Sequence, residues 1–148
     1  APETPEPDIP VVLKQMDGIM PGLGAWSVDL KPKLTVHWSD EVFRIFEVSE
    51  EQGQPASLNE GLDRYCDSSR ARLEEALERC ITTGNPIDLE AEILTFKNRK
   101  RVVRVAAKAI KNDQDQITGI QGFIQDITEY RHALRTVNRI NSLKNNIH

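Results

Sequence analysis

Cysteine is scarce in this chain, which has 148 residues and contains two cysteines, Cys66 and Cys80. They do not form a Cys-x-x-Cys pair, so the sequence predicts neither a disulfide scaffold nor a zinc site. Such sparse use of cysteine is typical of a reducing compartment. We therefore expect two buried free thiols, no metal site and a cytoplasmic protein.

Long apolar runs and an excess of basic charge are also missing. No segment approaches the roughly 20 residues that span a bilayer, and no leader with a charged start and an apolar centre is evident. The net charge of −4 provides no general attraction to nucleic-acid phosphates or to anionic lipids. The basic segment 97–104 has no interleaved aromatic residues apart from the adjacent Phe96, which favours a solvated hairpin tip. These observations predict no nucleic-acid partner and no membrane contact.

Sequence signatures of catalysis are absent as well. The chain has no glycine-rich phosphate loop, no His-Glu-x-x-His motif and no nucleophile elbow. Its many carboxylates alternate with basic residues, as in RLEEALER at 72–79, which is typical of a solvated helix face. We predict that the chain has no catalytic residues and is not an enzyme by itself.

The first 21 residues divide into two parts. Residues 1–9 are rich in proline and glutamate and predict a flexible lead-in. Residues 10–21 place Val12 and Met16 at helical spacing, which predicts a short flanking helix that packs on the sheet or on its twin in a dimer. Because the chain starts at Ala1 rather than methionine, we expect it to come from a longer protein.

A hairpin and a short helix are predicted next. Residues 24–30 and 34–38 alternate between apolar and polar side chains around a Lys-Pro-Lys turn, which is typical of two paired strands. Ser39 follows as the N-cap of a short aromatic helix.

The segment SSRARLEEALERCITTG at 68–84 predicts the clearest helix of the chain. A serine can cap its start, Leu73 and Leu77 lie on one apolar stripe with Cys80, and Gly84 suits its end. The polar, turn-rich segment before it leaves room for one or two single-turn helices only.

Three longer strands follow this helix, at residues 87–96, 101–110 and 117–127. The loops between them are short enough for antiparallel hairpins. This order predicts an α+β fold: a five-stranded antiparallel sheet with helices inserted between strands 2 and 3 and a flanking helix at each end. The inserted helices must cover one face of the sheet, with the core between them.

Three blocks of the sequence resemble the PAS family of sensor domains. GAWSVDL followed by LTVHWSDEVFRIFEV is similar to the opening of the family, ITTGNPIDLEAEIL to its middle and ITGIQGFIQDITEYR to its close. In the last block Gly122 stands four residues before Asp-Ile-Thr-Glu. The resemblance runs from about Gly24 to Arg131, and it implies a PAS domain at residues 22–128 followed by a signalling helix at 129–148.

The chain departs from the family at several positions. CDSS at 66–69 replaces the His-Pro-x-Asp of many relatives, so any role of that histidine does not carry over. Two Asp-Gly turns of the family become Lys97-Asn98 and Gln114-Asp115. Asn and Asp tolerate positive φ best after glycine, so we expect both turns to survive.

The resemblance also raises the question of cofactors. Flavin-binding, light-sensing relatives have a reactive cysteine in Asn-Cys-Arg-Phe-Leu-Gln and a glutamine two residues before the closing Asp. Here Cys66 lies in another context and Ile124 takes the glutamine position. Haem-binding relatives offer a histidine from the long helix, and this helix contains none. We therefore expect neither flavin nor haem, and an unidentified small molecule is the ligand that stays open.

Asp126, Thr128 and Glu129 lie where the last strand becomes the last helix. Asp126 or Thr128 can cap the helix, and Asp126 and Glu129 have the spacing of a capping box. A cap alone would be an ordinary helix start worth about 1 kcal/mol. With the resemblance, these residues are predicted to form a signal joint, through which a shift in the sheet redirects the helix.

Beyond this joint, apolar residues recur at spacings of three and four. The stripe consists of Tyr130, Ala133, Val137 and Ile140. This spacing is typical of a dimer seam, and Leu134 and Leu143 widen the stripe beyond a strict seam. Dimerisation and packing of the helix on its own domain both stay open. For a partner, we expect a second copy of the chain, bound through the flanking helices.

Eight apolar and aromatic residues are candidates for a ligand pocket between the sheet and the helices. They are Trp26, Trp38, Phe43, Phe46, Ile93, Val105, Ile120 and Ile124. The same residues would serve in any core, and core packing is the simpler interpretation.

The resemblance implies a sensory and signal-transduction module, as found in two-component systems. By analogy, a change in ligand or in dimer packing would pass through the joint to an output domain, a histidine kinase or a diguanylate cyclase. The competing hypothesis is a ligand-free protein-interaction and dimerisation domain.

Overall fold

The structure is a computed structural model that describes residues 22–49, 51, 53–55 and 57–145. Its elements are β1 (Leu23–Asp29), β2 (Thr35–Trp38), α1 (Asp40–Phe46), α2 (Leu58–Leu62), α3 (Asp67–Thr83), β3 (Ile87–Leu94), β4 (Lys100–Lys111), β5 (Ile117–Asp126) and α4 (Thr128–Asn145). The predicted lead-in and the predicted flanking helix at residues 10–21 lie outside the described residues. None of the described helices combines the length and the apolarity that crossing a bilayer requires.

The five strands form one antiparallel sheet in the order β2-β1-β5-β4-β3. The helices α1 to α3 are inserted between β2 and β3, as the sequence predicts. Because β5 pairs with β1 on one side and β4 on the other, the last strand lies at the centre of the sheet. The predicted α+β fold is therefore confirmed, and its outgoing helix α4 starts from the central strand.

The core lies between the sheet and the inserted helices. Ile120 and Ile124 on β5 and Val103 and Val105 on β4 are at most 2% exposed, as the alternation of a half-covered strand requires. On the helical side, Leu73, Leu77 and Cys80 of α3 form the predicted stripe and belong to the same core cluster. Gly84 ends this helix at φ 80°, also as predicted.

Ser39 occupies the N-cap position of α1, which confirms the prediction, but its side chain does not cap the helix. Its Oγ accepts the amide N–H of Ala25 at 2.9 Å, and its own amide donates to the Ala25 carbonyl at 2.9 Å. The serine therefore fixes the start of α1 to β1.

The serine cap predicted for α3 is wrong. The helix begins at Asp67, and Cys66 occupies the N-cap position without a capping hydrogen bond from its side chain. Ser69 turns inward instead, and its Oγ accepts the amide N–H of Glu92 on β3 at 2.9 Å. The expectation of two buried thiols holds for Cys80 only, because Cys66 lies at this half-buried corner.

Both hairpin turns survive without glycine, as predicted. Asn98 has φ 61° and Asp115 has φ 62°, in the left-handed region. In the second turn, Asn112 Oδ1 accepts the amides of Gln114 and Gln116, each at 2.9 Å. These side-chain bonds stabilise a turn that lacks the conformational freedom of Asp-Gly.

Among the described glycines of the sheet, Gly122 on β5 would bring an added Cβ closest to a neighbouring strand. A Cβ at this position would lie 1.9 Å from the carbonyl oxygen of Ala106 and 2.5 Å from Cα of Ala107, both on β4. Atoms cannot approach this closely, so the β4–β5 pairing requires glycine at the position that the family resemblance singled out.

We expect Gly122→Ala to destabilise the fold by about 3 kcal/mol or more, since the backbone of two central strands would have to separate. The urea midpoint, followed by circular dichroism, measures the change. Gln121→Ala, on the other face of the same strand, is the control and should change stability by about 0.5 kcal/mol or less. Equal midpoints for the two variants would show that the sheet absorbs the added methyl group.

Candidate functional site

A cavity of about 50 Å³ lies between the sheet and the helices, and we call it the inner cavity. Among the described residues, fourteen form its wall, and all of them are uncharged: Trp26, Val28, Val36, Trp38, Val42, Phe46, Leu58, Gly61, Leu62, Tyr65, Leu73, Leu77, Val105 and Ile124. The sheet strands β1, β2, β4 and β5 contribute one side, and the helices α1, α2 and α3 contribute most of the other.

Five of the eight predicted pocket residues line the inner cavity: Trp26, Trp38, Phe46, Val105 and Ile124. The other three, Phe43, Ile93 and Ile120, are at most 3% exposed but pack elsewhere in the core. On α1, Val42 and Phe46 are four residues apart and share the cavity face, whereas Phe43 lies about 100° around the helix. The sequence analysis missed the other nine described lining residues, including all of those from α2 and α3, because most of them have the pattern of ordinary core positions.

Trp38 is held in the cavity wall by aromatic and polar contacts. Its indole stacks on Phe46 with ring centroids 4.9 Å apart, and Phe43 meets it edge-on at 5.4 Å. Its backbone carbonyl accepts from Gln54 Nε2 at 3.0 Å. Tyr65 completes the aromatic group at 6.0 Å from Phe46, and burial raises the pKa of its hydroxyl.

The indole N–H of Trp26 is the one buried side-chain polar group without a hydrogen-bond partner among the described residues. Trp26 lies on β1, directly opposite Trp38 on β2 and Gly122 on β5. Gly122 places no side chain beside the indole. A buried donor without an acceptor costs roughly 1–3 kcal/mol, so burial of the Trp26 indole N–H is unfavourable unless an acceptor is supplied.

The joint between β5 and α4 is built around the hydroxyl of Thr128. This hydroxyl donates to Asp126 Oδ1 at 2.5 Å and accepts the amide N–H of Val102 on β4 at 3.0 Å. The amide of Ile127 donates to the Val102 carbonyl at 2.9 Å. Thr128 thus continues the β4–β5 hydrogen-bond ladder with its side chain, after the strand has ended, and the first residue of α4 is bonded to the sheet.

The capping box suggested by the spacing of Asp126 and Glu129 does not form. Asp126 Oδ1 accepts the amide of Thr128 at 3.0 Å, but the amide of Asp126 donates to the Gly22 carbonyl at 2.7 Å. In a capping box, the Glu129 carboxylate would accept this amide. Because the amide already donates to Gly22, that bond does not form, and Glu129 is exposed. Asp126 and Thr128 come together in the joint, and Glu129 does not join them.

Arg101 links this joint to the end of α1, and the sequence analysis missed it. Its Nη1 donates to the carbonyls of Ile45 at 2.8 Å and Arg44 at 3.2 Å, two of the groups that a helix end leaves without partners. Its Nε lies 3.7 Å from Asp126 Oδ2. The interpretation of segment 97–104 as a solvated hairpin tip is therefore wrong for Arg101, whose side chain is 23% exposed.

Glu47, the C-cap of α1, holds the other side of this guanidinium. Its carboxylate lies 3.6 Å from both Arg101 Nη2 and Arg99 Nε, and it accepts the Thr95 hydroxyl at 2.9 Å. Thr95 is fully buried and also accepts two amides of the β3–β4 turn. We call Glu47, Arg101, Asp126 and Thr128 the joint network, since they connect α1, β4 and α4 through side chains.

Beyond the joint, one side of α4 is exposed to solvent. Arg131 pairs with Glu90 on β3, which holds the first turn beside the sheet. Further along, large apolar side chains are exposed: Tyr130 is 61%, Val137 51%, Ile140 47% and Leu143 58% exposed. Ala133 of the predicted stripe is exposed with them, and Leu134 is half-buried.

The family comparison assigns the fold. A family model described as the PAS fold matches residues 35–124, well over half of the chain. The chain belongs to the PAS family. A comparison with curated proteins found no match.

Solved structures share the fold of this PAS domain at low identity. A sensory box histidine kinase/response regulator from Burkholderia thailandensis E264 superimposes with a TM-score of 0.67 at 17% identity, over 89% of this chain and 95% of that one. The N-terminal domain of a diguanylate cyclase with PAS/PAC sensor from Marinobacter aquaeolei gives 0.65 at 11% identity, over 74% and 99%. A domain of a light and redox sensing histidine kinase from Haloarcula marismortui gives 0.61 at 16% identity, over 77% and 97%.

We expect Arg101→Gln to destabilise the PAS domain by about 2 kcal/mol, because two carbonyls of α1 lose a charged donor, Asp126 loses the cation beside it and Glu47 keeps only Arg99. Urea unfolding measures the change. Arg104→Gln is the matched control on the same strand: Arg104 also forms a two-point pair, with Asp88 at 2.8 and 3.0 Å, but on an exposed face where solvent screens it. A loss for Arg101→Gln no greater than that of the control would mean that the joint network contributes little.

Proposed function

We propose that this PAS domain is a cytoplasmic sensory module that relays changes in its inner cavity or in its dimer packing through α4 to an output domain. It has no catalytic activity of its own in this proposal. The observation that carries it is the joint network, which places a continuous set of hydrogen bonds and ion pairs between a helix of the cavity wall and the first residue of α4.

The relay has three steps in space. Val42 and Phe46 of α1 line the inner cavity, so a ligand that enlarges the cavity pushes this helix. The last carbonyls of α1 are bonded to Arg101, and a shift of the helix end therefore moves the guanidinium. Arg101 pairs with Asp126, which accepts from Thr128, so the movement reaches the start of α4. A packed core transmits such displacements because it has little free volume to absorb them.

For the output domain we propose a histidine kinase or a diguanylate cyclase, as part of a two-component or similar signalling pathway. The proposal rests on the proteins in which similar PAS domains occur, since two of the solved structures are from sensor histidine kinases and one is from a diguanylate cyclase. Fold similarity supports the class of output by analogy only.

As ligand we propose a small molecule rather than flavin or haem. Ile124, at the position where a flavin-binding relative would have glutamine, is an apolar part of the cavity wall. Cys66 stands at the N-cap of α3 and is absent from that wall, and α3 offers no histidine.

A second candidate function is dimerisation through α4, and the exposed side chains of Tyr130, Val137, Ile140 and Leu143 favour it. The spacing of Tyr130, Val137 and Ile140 matches a seam between two helices, and Leu143 lies beside it. Pairing would cover apolar surface that water now contacts. The two functions are compatible, since α4 can both pair with a second copy and transmit the signal.

To test the relay, Phe46→Leu serves as a change in the cavity wall, and amide hydrogen exchange of α4 is the readout. In the otherwise natural chain, we expect this substitution to alter exchange in the first turns of α4. In the Asp126→Ala, Thr128→Ala background the response should vanish, and basal exchange there should rise about tenfold, because the helix start loses its bonds to Val102.

Thr136→Ala is the control for this experiment, since among the described residues the Thr136 hydroxyl bonds within α4 alone, to the His132 carbonyl at 3.0 Å. It should leave the response to Phe46→Leu intact. If α4 responds equally with and without Asp126 and Thr128, the relay does not pass through the joint network. Circular dichroism establishes that each variant retains the fold.

To test dimerisation, Val137 and Ile140 are both replaced by Glu, which puts charge on the exposed stripe. We expect the natural chain to sediment as a dimer and the double variant as a monomer, because a buried pair of carboxylates would be strongly unfavourable. Arg139→Glu, on the same helix, should leave the dimer in place. A natural chain that stays monomeric at all concentrations tested would contradict dimerisation through α4.

A further inference from the structure

We infer that a groove between α3, the edge strand β3 and α4 binds a small organic phosphate. The groove has a volume of about 400 Å³, and we call it the outer groove. This volume falls within the roughly 300–1,000 Å³ of sites that hold small molecules. The inference goes beyond the proposed function, because it concerns a second ligand at a site separate from the inner cavity.

Two arginines of the outer groove, one from each helix, are held beside β3 by their contacts. Arg72 on α3 places its Nη2 3.3 Å from Ser69 Oγ, and the same oxygen accepts the amide N–H of Glu92 on β3. Arg131 on α4 pairs with Glu90, also on β3. The two guanidinium groups therefore approach the same short stretch of the edge strand from two different helices.

A third arginine extends the cationic side of the groove along α4. Arg135 follows Arg131 by four residues, so the two lie one above the other on the same helix face, together with Leu134 and Asn138. Arg135 is exposed and forms no ion pair with a described residue. This face is distinct from the exposed apolar stripe, so a ligand in the groove leaves the stripe open.

The charges of the groove favour an anion. Glu90 and Glu92 also line it, and Glu90 is compensated by Arg131. Arg72 and Arg135 then stand against Glu92 alone, whose side chain is exposed to solvent. The described wall of the groove is therefore positive overall, although the whole chain has a net charge of −4.

The donors on the two sides of the groove suit a phosphate. Each guanidinium presents a planar set of N–H donors that matches phosphate oxygens, and Ser68 and Asn138 add uncharged donors. A phosphate monoester has nearly two negative charges near neutral pH and three terminal oxygens, so it can bond to both helices at once. A carboxylate has one charge and two oxygens, and it serves such a divided set of donors less well.

Apolar side chains in the same groove favour an organic body on the phosphate. Val102 on β4 and Leu134 on α4 line the groove and are both half-buried. An inorganic phosphate ion would leave most of the groove to water, whereas an attached apolar group would cover these side chains. The ligand is therefore expected to combine a phosphate with a small apolar group.

Phenyl phosphate is a suitable probe, with phenol and inorganic phosphate as its two halves. Nuclear magnetic resonance titration of the 148-residue chain, at constant ionic strength, measures the three affinities and locates the shifted amides. We expect phenyl phosphate to bind at millimolar concentration or below and to shift amides at 90–92 and 131–138. Phenol should not bind there, and inorganic phosphate should bind more weakly.

Three substitutions test whether the groove itself holds the phosphate. Arg135→Gln removes a groove cation and should weaken phenyl phosphate about threefold to tenfold. Arg139→Gln is the matched control, because it makes the same charge change one turn further along α4 at a residue that is not part of the described groove wall. It should leave the affinity nearly unchanged. Glu92→Gln removes the opposing carboxylate and should tighten binding about twofold.

Equal weakening by Arg135→Gln and Arg139→Gln would overturn the inference, since it would mean attraction to general surface charge. Phenol that binds as tightly as phenyl phosphate, or the lack of saturable binding at millimolar phenyl phosphate, would overturn it as well. The relay is judged separately, because the hydrogen-exchange experiment with Phe46→Leu uses no phosphate. The two proposals can therefore fail independently.

Discussion

The hydroxyl of Thr128 substitutes for a backbone group at the end of the β4–β5 ladder. It accepts the Val102 amide and donates to Asp126, whose own amide is held by the Gly22 carbonyl. A helix that begins directly after a strand would otherwise leave its first donors and the last ladder positions unsatisfied. In the proposed relay, these bonds are what prevents α4 from changing direction without disturbing the central strand of the sheet.

Arg101 extends the constraint from the sheet to the helical layer. Strand β4 brings its guanidinium between the end of α1 and the carboxylate of Asp126, so one side chain serves two elements that are distant in sequence. Glu47 adds a second anchor from the C-cap of α1. Charged groups with several defined partners cannot easily rearrange one at a time, and the proposed relay relies on this property of the joint network.

The inner cavity and the joint network differ in polarity, although both involve α1. The network consists of charged and hydroxyl groups that are satisfied by one another, whereas the described side chains of the cavity wall are apolar apart from those of Trp26, Trp38 and Tyr65. α1 belongs to both, through Val42 and Phe46 on one face and its terminal carbonyls at one end. In the proposed relay, a ligand needs to displace only this short helix for the change to reach charged groups outside the apolar region.

The sequence alone determined the order of the elements, the inward stripe of α3, the non-glycine turns at Asn98 and Asp115, and the position of the strand-to-helix joint, because each follows from local periodicity or backbone preference. The tertiary structure decided what depends on distant neighbours. Ser69 bonds to β3 instead of capping its helix, and Phe43 is not part of the cavity wall. Arg101 binds the end of α1 instead of being solvated with the rest of the hairpin tip. A single sequence contains no signal for these contacts, since the partners are separated by many residues and meet only when the helices have packed on the sheet.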